Sequence, residues 1–485
     1  MFTRRNILSG LGAGAISTVL PGLSWADTIN RPLAMPPLLD ATDTGRFRLT
    51  AQSGKMNFLG QSKSETWGFN QTYLGPTVRM TNSGAVRAEI ENTLDEAISV
   101  HWHGMIIPGD VDGGPHQPIA PGTTWAPELP VDQAQATIWY HSHIHGETAR
   151  QVQKGLAGVL QLSDGLDADR GLPSTYGLDD LTLVLQDRRF DRRGRMDYSL
   201  SMPDQMMGFL GDTMVINGQV GATAVVPKGI TRLRLLNGSN SRIYGLSMSD
   251  ERAMHLIATD NGLLDRPIAL DALTLAPGER YEVLVDFTDG NEVSLISAQS
   301  ANMGMMGGGM MGGNRTSGPP FTVVPFRVDS ALNAPIAALP EDLGGSRPDM
   351  DARGATQRSI ALEMAMGPGM MMGRGSDRFS INGESFDMQR TDFAVQRSVL
   401  QRWSVSANMM MHPFHVHGVT FQVLTENGGA PKPQNTGWKD TILIDGRAEL
   451  LMRFDQPASA ELPYMFHCHI LEHEDGGMMG QFTVT

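Results

Sequence analysis

Four histidine pairs constrain this chain more than any other feature, because two lie in its first third and two near its C-terminus. They are His101-Trp102-His103, His141-Ser142-His143, His415-Val416-His417 and His467-Cys468-His469. On an extended strand, residues two apart face the same side, so each pair offers two imidazoles to one spot. A fold that used all eight nitrogens together would have to bring the two ends of the chain into contact. Imidazole suits copper, zinc, iron and nickel alike, so a single pair is a weak signal. Four pairs are not an accident of composition, and of the 13 histidines only His116, His145 and His255 lie outside the pairs, His412 and His473.

The last pair encloses the only cysteine of the chain. The same period-two geometry that sends His467 and His469 to one face sends Cys468 to the other, so one strand touches two metal sites. Cys468 thiolate, His412 and His473 as nitrogen ligands and Met478 as a weak axial thioether make the ligand set of a blue-copper electron-transfer centre. The alternative for Cys468 is a buried inert thiol, the usual fate of a lone cysteine. Its flanking histidines and the Cys-x4-His-x4-Met spacing argue against that.

A chain of 485 residues exceeds the size of one core, so two to four domains of roughly 100–200 residues each are expected. With 55 Gly and 28 Pro, turn-dense β structure is favoured over helices, and the architecture is expected to be all-β. A net charge of −14 excludes a nucleic-acid partner, which would need a basic face. Thr3-Arg4-Arg5-Asn6-Ile7-Leu8, an apolar run to about Leu20 and Ser24-Trp25-Ala26 form a twin-arginine export signal over residues 1–26. The run is too short to span a bilayer, which needs about 18–20 apolar residues, so no stable membrane insertion is expected. The expected location is the periplasm, with the twin-arginine machinery as export partner.

Breaks around Asp164–Arg170 and Pro335–Asp351 divide the rest into three units, residues 27–165, 176–330 and 355–485. Each contains a strand of alternating apolar positions: Val86–Asn92, Thr231–Asn237 and Gln401–Asn408. Tandem copies of one β fold account for this repetition. Met303–Gly313 and Met364–Gly373 are Met/Gly-rich and suit no regular strand.

The histidine motifs and the Cys468 tail resemble those of multicopper oxidases, the laccase and copper-efflux oxidase superfamily, across essentially the whole chain after the signal. Trp139–Gly146, Arg150-Gln151-Val152, Gly211-Asp212-Thr213 and His467–Asp475 are closer to bacterial periplasmic cuprous oxidases than to fungal laccases. The resemblance implies three tandem cupredoxin-like Greek-key β-barrel domains and four copper ions, a blue copper in the third domain and a trinuclear cluster between the first and third. By motif position it gives His101 and His415 to a type 2 copper. His103, His141, His143, His417, His467 and His469 would hold a type 3 pair. His116, His145 and His255 have no ligand role. Asp112, in Val111-Asp112-Gly113-Gly114, and Glu474 resemble the family's proton-relay carboxylates, which dioxygen reduction needs because it consumes protons as well as electrons. Their alternative roles are a turn residue and a solvated charge.

The electron donor is expected to be Cu(I), with small phenols or aromatic amines as the alternative. Cu(I) is soft and prefers thioethers, and the chain has 31 Met. Asn408 stands where copper-efflux oxidases carry an aspartate, and their long His/Met-rich insert is reduced to Met364–Met372. Met364 and Met410 remain as candidate substrate ligands. The Met/Gly runs could equally be gap-fillers without affinity. A copper-free structural or cell-division relative is the reading from another class, but such relatives lack the histidines and the cysteine. A two-domain copper nitrite reductase would need neither four pairs nor three units.

Overall fold

The computed structural model describes residues 31–298, 320–365 and 378–485. The export signal, the run Met303–Gly313 and all of the Met364–Gly373 run beyond Ala365 lie outside these residues.

The three repeated segments fall at the same place in three repeats of one topology. Strands Ser83–Asn92, Ile230–Asn237 and Leu400–Ala407 each lie at the middle of a sheet. Each runs parallel to an earlier strand, Arg46–Met56, Asp180–Phe190 and Thr356–Met364 respectively. Each also runs antiparallel to a later one, Glu128–Asp132, Arg280–Asp286 and Arg447–Arg453. Parallel neighbours that are distant in sequence require crossovers between sheets, and a second sheet closes each unit. The result is an all-β chain of three cupredoxin-like domains with Greek-key connections, each around its own apolar core. Among the described residues no helix is long and apolar enough to cross a membrane.

Two features depart from the sequence expectations. Arg31–Pro32, assigned by sequence to the first unit, run parallel to Ala222–Thr223 of the second domain. Leu33 follows them into that domain's core, which supplies the reason: its side chain finds apolar cover there. The second repeated strand does not alternate between buried and exposed positions either. Arg232 and Arg234 are buried, paired with Asp167, Asp180 and Glu282, and Arg234 reaches Thr137 of the first domain at 2.9 Å. The polar face of that strand is an interface between domains, where opposite charges replace water.

The histidine motifs occupy corresponding sheets of the first and third domains. Strand His101–His103 pairs with Ala136–His141 so that His101 faces His141. Strand His412–Val416 pairs with Tyr464–Cys468 so that His415 faces His467 and Phe414 faces Cys468. Register therefore converts two sequence-distant pairs into one four-imidazole patch in each domain.

Candidate metal centre

The two patches meet face to face. Donor atoms of His101, His103 and His415 lie within 4.8 Å of one another, as do those of His103, His141 and His469, and those of His143, His417 and His467. A fourth group, His412, Cys468 and His473, forms on the opposite side of strand Tyr464–Cys468. Cys468 Sγ is 3.3 Å from His412 Nδ1 and 3.8 Å from His473 Nδ1, and those two nitrogens are 3.3 Å apart. Met478 is fully buried in the same apolar cluster as Cys468, and its carbonyl accepts from Cys468 N–H at 3.0 Å.

Hydrogen bonds fix which ring nitrogen is free in His101, His141, His415, His417 and His467. His101 Nδ1 donates to the Asp112 carbonyl, His141 Nδ1 to that of Ser142 and His415 Nδ1 to that of Asp440, all at 2.9–3.0 Å. The buried Nε2 atoms of these three rings have no hydrogen-bond partner. His417 Nδ1 donates to Asp112 Oδ2 at 2.7 Å and His467 Nδ1 to the Cys468 carbonyl at 3.0 Å. Their Nε2 lone pairs are 3.3 Å apart, and His143 Nε2 is 3.3 Å from that of His467. Lone pairs crowded together in a dry interior are unfavourable unless a cation lies among them. The donor set thus fits metal ions, and soft thiolate with imidazole suits copper.

Burial pushes the imidazoles of His103, His141, His143, His417, His469 and His473 well below the usual histidine range, and those of His412 and His415 to about 4. All eight are therefore neutral imidazoles near neutral pH. Burial pushes the Cys468 thiol up, so metal binding there must release its proton.

These directions set the acid sensitivity of the copper-free protein. Above the ordinary value of 6.5 such an imidazole is neutral folded or unfolded. As pH falls from there towards 4, the unfolded chain takes up protons that the folded chain refuses, and stability is lost. Calorimetry of the apoprotein should find a melting temperature more than about 5 °C lower at pH 5 than at pH 7. A flat profile would contradict a neutral buried cluster.

Both carboxylates singled out from sequence, Asp112 and Glu474, sit against histidines of the cluster. Asp112 is buried, and the turn that carries it depends on Gly113, whose φ is +81° and where a Cβ would lie 1.7 Å from the Val100 carbonyl. Glu474 Oε1 lies 3.4 Å from His143 Nδ1 and Oε2 3.2 Å from His467 Nδ1. Burial would raise its carboxyl, but the ring N–H groups of His143 and His467 that face it favour the ionised form and hold it below the usual carboxylate range. Neither residue is a solvated charge.

The other sequence candidates also have definite places. Met364 is buried at the end of its strand, and Met410 packs on the core around Cys468. Asn408 ties them together, its Oδ1 accepting from Met364 N–H at 3.4 Å and its carbonyl from Met410 N–H at 2.7 Å. His116 contacts Gln481 at 2.7 Å, and His145 packs on Phe386.

Several contributors were missed from sequence. Met206, in helix Met202–Met207 of the second domain, accepts from His473 Nε2 at 3.0 Å. Phe379 stacks on the His473 ring at 4.4 Å and lines a cleft of about 380 Å³ with Tyr198, Arg150, Arg378 and Asp475. Asp440 reaches the imidazole cluster at His103, and Arg280 reaches Asp440. The one local signal for Asp440 was a charged pair, Lys439-Asp440, at the head of an apolar strand.

Three cupredoxin-like domains, a cysteine-imidazole group and an eight-imidazole cluster across one strand from it define a chain whose donor groups suit metal ions at two adjacent places. Family models described as multicopper oxidase match residues 50–166, 184–310 and 359–485, and the chain belongs to the multicopper oxidase family. Membership implies copper as the metal.

Cell division protein FtsP of Salmonella typhimurium is 36% identical over 494 residues, covering 100% of this chain and 99% of that protein. Among solved structures, a laccase-like multicopper oxidase CueO from Ochrobactrum sp., described as active towards lignin model compounds and lignosulfonate, is 40% identical. It superposes with a TM-score of 0.86, covering 94% of this chain and 100% of that one. A laccase from Pediococcus acidilactici is 33% identical with a TM-score of 0.82, covering 96% of each chain.

Proposed function

We propose that this chain is an oxidase that accepts single electrons beside Cys468 and passes them to dioxygen at the eight paired imidazoles. One observation carries the reading: strand Tyr464–Cys468 presents Sγ to His412 and His473, while its flanking imidazoles enter the cluster on the other side. Copper at both places, four ions in all, would supply one-electron exchange at the thiolate and four-electron reduction of dioxygen to water at the cluster. The chain supplies the path, since Cys468 is joined to His467 and His469 through consecutive peptide units. His101 and His415 would hold the mononuclear copper of the cluster, and the triads His103, His141, His469 and His143, His417, His467 its pair.

The carboxylates manage protons. Asp112 Oδ2 accepts from His417 Nδ1, and its buried Oδ1 has no hydrogen-bond partner, so one oxygen is free to take a proton. Glu474 spans His143 and His467 from the opposite side. Glu474→Gln should keep the blue colour and lower oxygen consumption by about 100-fold or more, the contribution of a positioned acid-base group. Steady-state oxygen uptake checks this, and wild-type turnover in Glu474→Gln and Asp112→Asn would assign both residues to structure alone.

Cu(I) is the proposed donor, approaching through Met364 and Met410, which Asn408 holds beside the Cys468 centre. Small phenols are the second reading, favoured by the Phe379 cleft against His473 and by the similarity to the Ochrobactrum enzyme. Turnover of Cu(I) and of a dimethoxyphenol, with and without added Cu(II), separates them. Efficient Cu(I) oxidation that weakens in Met410→Leu supports the first. Poor Cu(I) oxidation with phenol turnover indifferent to added copper removes it. The relation to FtsP favours a part in cell division, against which stands the complete ligand set. Export to the periplasm by the twin-arginine route rests on Arg4-Arg5 and the segment ending at Ala26.

A further inference from the structure

We propose that Asp440, clamped by Arg280 of the second domain, is a positioning residue for the imidazole cluster, the counterpart in the third domain of Asp112 in the first. The inference rests on the oxidase reading above.

The two aspartates grip the cluster in a crossed arrangement. Asp112 takes His417, from the other domain, on its carboxylate and His101, from its own, on its carbonyl. Those two rings stack at 3.7 Å with 15° between planes. Asp440 Oδ1 accepts from His103 Nε2, from the other domain, at 3.1 Å, and its carbonyl accepts from His415 Nδ1, of its own domain, at 2.9 Å. These rings stack at 3.6 Å and 10°. Each aspartate therefore fixes one stacked pair made of an imidazole from each domain. Thr441 Oγ1 reinforces the second pair, 3.0 Å from His103 Nε2 and 3.1 Å from His415 Nδ1.

The grip has a chemical consequence. Because His103 is bonded through Nε2, its Nδ1 is the buried nitrogen left without a hydrogen-bond partner, whereas His101, His141 and His415 leave Nε2 free. A ligand's metal-facing atom is set by what its other nitrogen binds. Asp440 thus decides that His103 faces the cluster with a different atom from those three rings.

Asp440 differs from Asp112 in being held by a cation. Arg280 meets it through two nitrogens, Nη1 to Oδ1 at 2.8 Å and Nη2 to Oδ2 at 2.5 Å. Its three remaining N–H groups serve carbonyls of Thr137, Gly278 and Asp260 and, with one N–H shared, Asn261 Oδ1, at 3.0–3.2 Å. One guanidinium therefore ties all three domains, with its fork geometry fixing the carboxylate plane. Gly104, immediately after His103, gives the pair its room. Its φ is +95°, and a Cβ there would lie 2.6 Å from Arg280 Nη2 and 2.8 Å from Asp440 Oδ2. The second domain, which supplies no histidine to the cluster, acts on it through this contact.

The test uses copper-loaded full chain, wild type first, with three readouts: blue absorption, copper retained against a graded chelator, and the electron paramagnetic resonance spectrum of the mononuclear cluster copper. Asp440→Asn preserves shape but removes the charge that Arg280 and His103 bind. It should keep the blue absorption, release cluster copper about 10–100-fold more readily and change the resonance spectrum. Chelator and resonance curves superimposable on wild type would overturn the proposal. Should Asp440→Asn fail to fold, the charge-free pair Arg280→Met with Asp440→Leu decides. A blue protein with weakened cluster copper supports the role, and a blue protein with wild-type retention and spectrum overturns it. A wild type that takes up no copper would instead defeat the oxidase reading itself, a distinct failure recorded before any variant is made.

Discussion

Cys468→Ser is expected to yield a colourless protein whose oxygen consumption falls to background with every donor. Sγ is the atom that His412 and His473 close upon, and a serine hydroxyl offers hard oxygen where soft thiolate is needed. The substitution is nearly isosteric in a fully buried position, so folding should survive. The eight imidazoles lie across the strand and keep their hydrogen bonds, so the variant should retain three of four copper ions. Electrons then have no centre at which to arrive. Colour and copper content, read with oxygen uptake, check the result, and sustained turnover in the variant would break the link between the two centres.

Replacing His101 or His415 by Ala should do the converse. The protein stays blue, because the Cys468 group lies on the opposite face of strand Tyr464–Cys468, and oxygen consumption again falls to background. The two rings, 5.8 Å apart, come from different domains and present their unpartnered Nε2 atoms to one group. Removing either leaves the mononuclear copper with a single imidazole of its proposed two. Donor reduction of the blue centre should continue for one turnover and then stop, visible as bleaching that air does not reverse. Variants that bleach and recover in air like wild type would remove His101 and His415 from the reaction.

The parts legible in sequence were those written locally. A spacing of two places two imidazoles on one face of a strand, and a cysteine between them must face the other way, whatever the surrounding fold. The repeated strands likewise announced three copies of one unit, because alternation of apolar residues is a property of a single strand. What escaped were contacts made by residues far apart in the chain. Arg280 and Asp440 are 160 positions apart, and neither segment has a spacing that marks it. Arg232 and Arg234 read as an outward polar face until Thr137 of a neighbouring domain is placed over them. Helix Met202–Met207 covers His473 from another domain, and nothing in its sequence points there.

The claim on which all this turns is that current runs from the thiolate side of one strand to the imidazole side. Rapid mixing of the fully reduced, copper-loaded protein with dioxygen tests it without any donor present. The blue absorption should return as dioxygen disappears, one molecule consumed for every four electrons stored. Oxygen consumed while the blue centre stays bleached would contradict the account.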